Sequence, residues 1–159
     1  MDHADYIAIS HNYAIYARAL DEKRLEYLEQ VFAPTAELHY EVSGRVFDCT
    51  GAEAANAFSR FLDLCYWTNH VIANPMIEVH GKRAHGSARV IATHLQRLPE
   101  GTMTRWEVRG SYHDTFAMTP VGWRIVRRHC VCMDSIGEFR NEGVECFPAL
   151  AWTQAAALA

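Results

Sequence analysis

The chain changes its hydrophobic periodicity once, after Cys65, and this change constrains the fold more than any other feature. Before it, apolar residues recur at helical spacing, as in the stripe formed by Ile9, Tyr13, Tyr16 and Leu20. After it, apolar and polar residues alternate along long segments separated by short turns. Helices followed by an antiparallel meander are typical of an α+β fold and not of a parallel α/β fold.

This pattern predicts helices first and then long strands. Three helices are predicted, over Asp2–Leu20, Glu22–Phe32 and Ala52–Cys65. Pro34 is expected to end the second helix. A short strand is predicted over Ala36–Val42, followed by a loop containing Gly44 and Gly51. The four long strands are predicted over Trp67–Val79, Ala84–Leu98, Thr102–Met118 and Gly122–Asp134. We expect a cone-shaped α+β barrel, in which the N-terminal helices pack on a curved antiparallel sheet around an internal pocket.

Size and charge exclude several classes of protein for this chain. A chain of 159 residues fits one domain, which we place at 1–140, with 141–159 as a tail covering the pocket or a neighbouring subunit. The net charge of −4 provides no basic surface for nucleic acid, and no run of 18 apolar residues predicts a membrane span. The acidic start lacks a leader pattern, and the five cysteines include no CxxC pair. We therefore expect a cytoplasmic protein.

Two residues combine into a candidate general base. His70 lies early in the first long strand, where it is either a buried core histidine or a base facing the pocket. Asp21 follows the first helix, where it either caps the next helix or pairs with an imidazole. A carboxylate bonded to one imidazole nitrogen fixes the tautomer and makes the other nitrogen a base, with no cofactor required. Tyr16 and Tyr40 are candidate hydrogen-bond donors, or equally core aromatics.

Other polar residues remain ambiguous. One face of the third long strand carries a row of polar residues, Arg109, Ser111, His113 and Thr115. This row is either a solvated outer face of the sheet or part of the lining of a polar cavity. Nine histidines are present, but no HExxH motif and no His/Asp pair at metal spacing. We expect neither a metal nor another cofactor.

Several segments resemble the SnoaL-like branch of the nuclear-transport-factor-2-like superfamily. They run in the order ALD-x5-YLEQVFAPTAELHY, WTNHVIAN, HLQR, GSYHD and GWRIVRR, and the resemblance covers Tyr6–Glu138. Within the branch the chain is similar to scytalone dehydratase, bile-acid 7α-dehydratase and lindane dehydrochlorinase. The resemblance implies a cofactor-free lyase with an Asp–His pair.

The resemblance also assigns roles to single residues. It implies catalytic roles for Asp21, His70 and Tyr40, and substrate-binding roles for Tyr16, His94, Ser111 and His113. Three positions depart from the pattern, since Leu20 replaces a tyrosine of scytalone dehydratase, Glu100 its second histidine, and Cys132 an arginine of the bile-acid enzyme. We therefore expect a different substrate. Aromatic residues that could line a pocket for a ring-bearing substrate, or equally form core, are Tyr40, Phe47, Phe58, Phe61, Trp67 and Phe147.

The sequence thus predicts a dehydratase-like lyase acting on a small, ring-bearing molecule. A retro-aldol lyase, an isomerase or a polyketide-cyclase-type enzyme would use the same dyad, whereas epoxide opening needs more carboxylates than the sequence offers. The alternative from another class is a ligand-binding or oligomerisation domain without turnover. We expect an oligomer, because the outer face of the curved sheet carries apolar residues, and the resemblance implies a homodimer or homotrimer.

Overall fold

The computed structural model describes residues 3–141. Helix α1 spans His3–Asp21, a 3₁₀ helix spans Leu25–Gln30, and helix α2 spans Ala54–Leu62. The strands are β1 (Phe32–Val42), β2 (Arg45–Thr50), β3 (Trp67–His80), β4 (Arg83–Arg97), β5 (Met103–Thr119) and β6 (Gly122–Gly137). The predicted α+β cone, with helices packed on a curved sheet, is confirmed.

The six strands form one mixed sheet in the order β2-β1-β6-β5-β4-β3. Consecutive strands from β3 to β6 pair as antiparallel hairpins, as their turn sequences predict. Strand β1 instead pairs with β6 in parallel, and His39 lies opposite His129. The prediction of a purely antiparallel sheet was therefore wrong at this one junction, where the first of the six strands pairs with the last.

Local structure between α1 and α2 differs from the prediction. The second helix is only a 3₁₀ helix, and Pro34 lies inside β1 instead of ending a helix. The pairing of β1 with β6 shifts register between Phe32 and Glu37, so the missing N–H of Pro34 falls where the ladder is interrupted. The predicted loop between Gly44 and Gly51 forms β2.

The sheet curves around α1 at bulges. Register shifts occur in β3 between Ala73 and Met76, and at the β5–β6 junction between Arg109 and Gly110. Gly110 permits the second bulge, because a Cβ there would collide with the carbonyl oxygen of Val131. These bends close the sheet into a cone with α1 across its concave face.

A buried ion pair joins β5 to β6 beneath α1. The guanidinium of Arg128 donates two hydrogen bonds of 2.8 Å to the carboxylate of Asp114, and both side chains are fully buried. The same guanidinium lies 4.3 Å from the ring centre of Tyr16 and 4.1 Å from that of Tyr112. Cation–π contacts therefore connect the ion pair to the aromatic core. Among residues 3–141, no helix is long and apolar enough to cross a membrane.

Candidate active site

Asp21 occupies the last turn of α1, which ends in a Schellman motif. Lys23 has a φ of 52°, and the N–H groups of Lys23 and Arg24 donate to the carbonyls of Leu20 and Ala19. This closure directs the chain away from the helix and leaves the Asp21 side chain pointing at β3. The following 3₁₀ helix has no side-chain cap, so the capping interpretation of Asp21 was wrong.

Asp21 and His70 form a tightly bonded dyad. One carboxylate oxygen of Asp21 lies 2.7 Å from Nδ1 of His70 and accepts the hydroxyl of Thr68 at 3.2 Å, while the other accepts the backbone N–H of His70 at 2.8 Å. A carboxylate only accepts hydrogen bonds, so the proton of a neutral His70 ring resides on Nδ1. The lone pair of the imidazole is then on Nε2, on the opposite side of the ring.

His70 forms part of the wall of a cavity of about 490 Å³. The cavity lies between the concave face of the sheet, α1 and α2. The wall is mostly apolar and aromatic, with contributions from Phe47, Phe58, Phe61, Val90, Ala92, Trp106, Val108 and Phe139. A second groove of about 590 Å³ runs between α1 and β3 on the other side of the dyad, and Asp21 borders that groove. Asp21 therefore orients His70 from outside the cavity.

Two tyrosine hydroxyls lie together in the cavity wall. The hydroxyl oxygens of Tyr16 and Tyr40 are 3.1 Å apart, and the ring of Tyr40 stacks on Phe47. Burial raises the pKa of Tyr16, and it raises the pKa of Tyr40 and of Tyr112 well above the ordinary value. All three phenols therefore stay protonated. Because one hydroxyl of the Tyr16–Tyr40 pair donates to the other, the second keeps its proton available for a developing oxyanion.

His94 supplies a second, neutral imidazole to the same wall. Its ring lies edge to face with that of His70, with centroids 5.5 Å apart. Burial, reinforced by the nearby His70, lowers the pKa of His94 to about 3. Its Nδ1 is buried and has no hydrogen-bond partner among residues 3–141. His94 therefore stays uncharged in the cavity wall.

The segment after β6 forms part of the cavity wall. The side-chain amide of the fully buried Gln96 donates to the carbonyl of Arg140 at 2.7 Å and accepts the N–H of Arg140 at 2.8 Å. These two bonds hold Phe139 against the cavity, where its ring centre is 5.3 Å from that of Trp106. Gln96 thus fixes one aromatic wall of the site.

The comparison with protein families agrees with this architecture. Residues 2–129, more than half of the chain, match the SnoaL-like domain family. The chain belongs to the SnoaL-like domain family. Uncharacterized proteins of Mycobacterium tuberculosis (strain ATCC 25618 / H37Rv) and Mycobacterium bovis (strain ATCC BAA-935 / AF2122/97) are each 29% identical to it over 125 residues, 79% of this chain and 83% of theirs.

Solved structures share the fold of this SnoaL-like protein. A candidate scytalone dehydratase from Novosphingobium aromaticivorans DSM 12444 superposes with a TM-score of 0.73 at 21% identity, covering 91% of this chain and 93% of that one. A hexachlorocyclohexane dehydrochlorinase, LinA type 2, superposes with a TM-score of 0.71 at 19% identity, covering 91% and 94%. An NTF2-like superfamily protein from Salmonella enterica superposes with a TM-score of 0.65 at 20% identity, covering 78% of this chain and 87% of that one. At these identities the likeness shows the NTF2-like fold alone.

The structure brings seven of the residues singled out from the sequence into the cavity wall. They are Tyr16, Tyr40, Phe47, Phe58, Phe61, His70 and His94. Asp21 is joined to this wall by its hydrogen bond to His70. Phe147 lies outside the described residues.

Three other predicted site residues do not reach the cavity. Ser111 and His113 lie on the outer face of β5, because Val108 and Tyr112 occupy its inner face. The hydroxyl of Ser111 accepts a hydrogen bond of 2.9 Å from Arg89. Trp67 alternates with Thr68 on β3 and so faces outward as well. Placing these three side chains in a substrate pocket was wrong, because alternation divides a strand into two faces without showing which one is concave.

Several site residues were not singled out from the sequence. Thr68 shares the inward face of β3 with His70, so its spacing two residues before the histidine was a usable signal. Gln96 and Phe139 carried no such signal, because the hydrogen bonds between Gln96 and Arg140 join β4 to a segment more than forty residues later. Arg128 resembled an exposed arginine beside Arg127, and only the topology shows that it is buried.

Proposed function

We propose that this SnoaL-like protein is a cofactor-independent lyase that removes water, or a comparable small leaving group, from a ring-bearing substrate. One observation carries the proposal. A histidine fixed by a carboxylate through Nδ1 borders a cavity of ligand size that also contains protonated phenols. Similarity of fold to proteins named as a dehydrochlorinase and a candidate scytalone dehydratase supports the same reaction class.

In the proposed reaction, Nε2 of His70 removes a proton from a carbon beside a carbonyl group. The electron pair of the broken C–H bond moves onto the carbonyl oxygen, and the hydroxyl of Tyr40 or Tyr16 donates a hydrogen bond to that enolate oxygen. The enolate then reforms the carbonyl and expels the hydroxyl on the next carbon. That hydroxyl takes the proton from the His70 imidazolium and leaves as water, so His70 ends neutral.

Asp21 contributes by orientation and charge. Its carboxylate holds the ring by the Nδ1–H bond of 2.7 Å and stabilises the imidazolium that forms when Nε2 takes the proton. His94 contributes by staying uncharged, since its pKa of about 3 keeps a second imidazolium away from His70. A positioned base and an oxyanion donor each provide on the order of 10²–10⁴ in rate.

The shape and lining of the cavity favour an aromatic or polycyclic substrate. Four aromatic rings, from β2, α2, β5 and the segment after β6, line the cavity of about 490 Å³. They belong to Phe47, Phe58, Trp106 and Phe139. Such walls bind planar apolar ligands through stacking and edge-to-face contacts. A retro-aldol cleavage or an isomerisation would begin with the same proton abstraction, so the leaving group of the true substrate decides between them.

The test is turnover of a panel of β-hydroxy ketones fused to one or more rings, followed by absorbance of the conjugated product. Assays contain EDTA, and each compound is also tested for binding. The proposal expects turnover by the native protein and a loss of at least about 10²-fold in His70→Gln. His85→Gln, an exposed histidine on the outer face of β4, is the matched control and should retain full activity. Binding of panel compounds without any turnover would instead indicate a ligand-binding domain.

A further inference from the structure

A second cluster of polar side chains lies on the outer face of the sheet, behind the tyrosines. His39 and Glu41 of β1 share this face because they are two residues apart on a strand. His129 lies opposite His39 across the parallel β1–β6 junction, and Asp48 lies opposite His39 on β2. Three adjacent strands therefore hold His129, His39 and Asp48 in one row, with Glu41 beside it on the same face.

The imidazole and carboxylate atoms converge on a common point. One oxygen of Glu41 lies 3.2 Å from Nε2 of His39 and 2.8 Å from Nε2 of His129. A tetrahedral Zn²⁺ ion with bonds of about 2.0–2.1 Å separates neighbouring ligand atoms by about 3.3 Å. The potential ligand atoms of His39, Glu41 and His129 all lie within 4.8 Å of one another, so small side-chain rotations would admit the ion.

Asp48 occupies the position of an outer-shell carboxylate. Its Oδ1 lies 2.6 Å from Nδ1 of His39. Histidines that bind a metal through one ring nitrogen usually donate the N–H of the other to a carboxylate or carbonyl, which fixes the tautomer. This bond would leave Nε2 of His39 as the ligand atom, directed at the same point as His129.

We propose that His39, Glu41 and His129 form a Zn²⁺ site on the outer face of the sheet, with Asp48 orienting His39. Two imidazoles and one carboxylate suit Zn²⁺, whereas Ca²⁺ and Mg²⁺ require more oxygen ligands. The carboxylates of Glu41 and Asp48 offset the charge of the dication. The three ligand side chains are 39–48% exposed, so water completes the tetrahedron at the fourth position.

The site is separate from the proposed catalytic dyad. Tyr40, between His39 and Glu41 in sequence, faces the cavity, and so does Cys130, which follows His129. The ion would therefore act on the β1–β6 junction, joining two strands that are far apart in sequence. No HExxH-like motif marks such a site in the sequence, because His129 comes from a strand about ninety residues after His39 and Glu41.

The experiment is isothermal titration of the EDTA-treated full chain with Zn²⁺ alone, with thermal melts of each variant as a folding check. We expect one ion per chain and a higher melting temperature with zinc. Asp48→Asn should weaken binding by about 10- to 100-fold, as for lost outer-shell partners, and His129→Asn and Glu41→Gln by more. His85→Asn, an exposed histidine elsewhere on the outer face, should bind as the native chain does.

Cobalt provides a second measurement that reports geometry. Co²⁺ bound in place of Zn²⁺ should give the intense visible bands of a four-coordinate ion, and these should disappear in the double variant His39→Asn/His129→Asn. The proposal is overturned if the native chain shows no saturable zinc binding. It is equally overturned if the folded double variant binds zinc as tightly as the native chain, since the ion would then sit elsewhere.

Discussion

Asp21 is placed where a carboxylate is unfavourable for the helix that carries it. The C-terminal end of a helix dipole repels negative charge by about 0.3–1 kcal/mol, yet the three hydrogen bonds that the carboxylate accepts all come from Thr68 and His70 on β3. The residue therefore serves the interaction with His70 more than it serves α1. Such a local conflict is characteristic of functional positions.

Asp21→Asn should abolish the base without unfolding the protein. The amide oxygen can accept the backbone N–H of His70, but its NH₂ group must then donate to Nδ1 of His70, which transfers the ring proton to Nε2. We expect turnover to fall by at least about 10²-fold, with a melting temperature near that of the native protein.

Nitrogen NMR of the His70 ring measures this tautomer directly, showing the proton on Nδ1 in the native protein and on Nε2 in the variant. Glu22→Gln is the control, because it removes a neighbouring carboxylate that pairs with Arg18 at the surface. A variant that retains both the native tautomer and the native rate would contradict the role assigned to Asp21.

His94 should make the fold sensitive to acid. Burial lowers its pKa to about 3, whereas the unfolded chain has a histidine pKa of about 6.5, so between these values the unfolded state binds a proton that the folded state does not. Stability is therefore lost as the pH falls through this window. Between pH 7 and pH 5 the native protein should lose about 1–2 kcal/mol more unfolding free energy than His94→Asn.

Urea unfolding at the two pH values measures this difference, and His85→Asn, an exposed histidine, should behave like the native protein. Equal acid sensitivity of native protein and His94→Asn would contradict this prediction, because it would show that the folded state binds a proton at His94 as readily as the unfolded state does.

At the scale of the strands, the buried pair between Asp114 and Arg128 fixes β5 against β6. Asp114→Ala leaves an uncompensated guanidinium at full burial, and we expect a loss of about 3–5 kcal/mol in unfolding free energy. Glu37→Ala breaks the exposed pair with Arg127 and should cost no more than about 1 kcal/mol. Chemical denaturation of both variants compares them, and similar losses would mean that burial does not decide the strength of these pairs.

Hairpins were predictable from sequence, and long-range pairing was not. Strands β3 to β6 begin and end within a few residues of the prediction, because each turn carries glycine or proline and each strand alternates. The parallel junction of β1 with β6 depends on residues about ninety positions apart, which no local pattern records. Asp21 and His70 were found because their residue types and contexts match a known family, whereas Ser111 was misplaced because alternation does not identify the concave face.

At the scale of the whole molecule, one aromatic wall of the cavity depends on Gln96. Gln96→Ala removes both hydrogen bonds to Arg140 and should release the segment that carries Phe139. We expect weaker binding of cavity ligands, by about tenfold or more, because the aromatic wall would have to be ordered on binding. Titration with a panel ligand tests this, and Thr104→Val, which removes only a 3.4 Å contact to Gln96, is the control.

The oligomeric state stays a prediction. Val71 and Ile91 lie opposite each other on β3 and β4 and are exposed on the outer face, 51% and 44% respectively. An apolar pair of this kind is consistent with a covered surface in a homodimer or homotrimer. Light scattering coupled to size-exclusion chromatography would give the subunit number, and a monomer at all concentrations would refute the prediction.

The measurement that tests the central claim most directly is elimination by native protein and by His70→Gln on the same ring-fused β-hydroxy ketone, with EDTA present. We predict that the native protein forms the conjugated product and that the variant binds the compound but turns it over at least about 10²-fold more slowly. A variant as fast as the native protein, or a native protein that binds the compound and leaves it unchanged, would contradict the assignment of His70 as the base of a lyase.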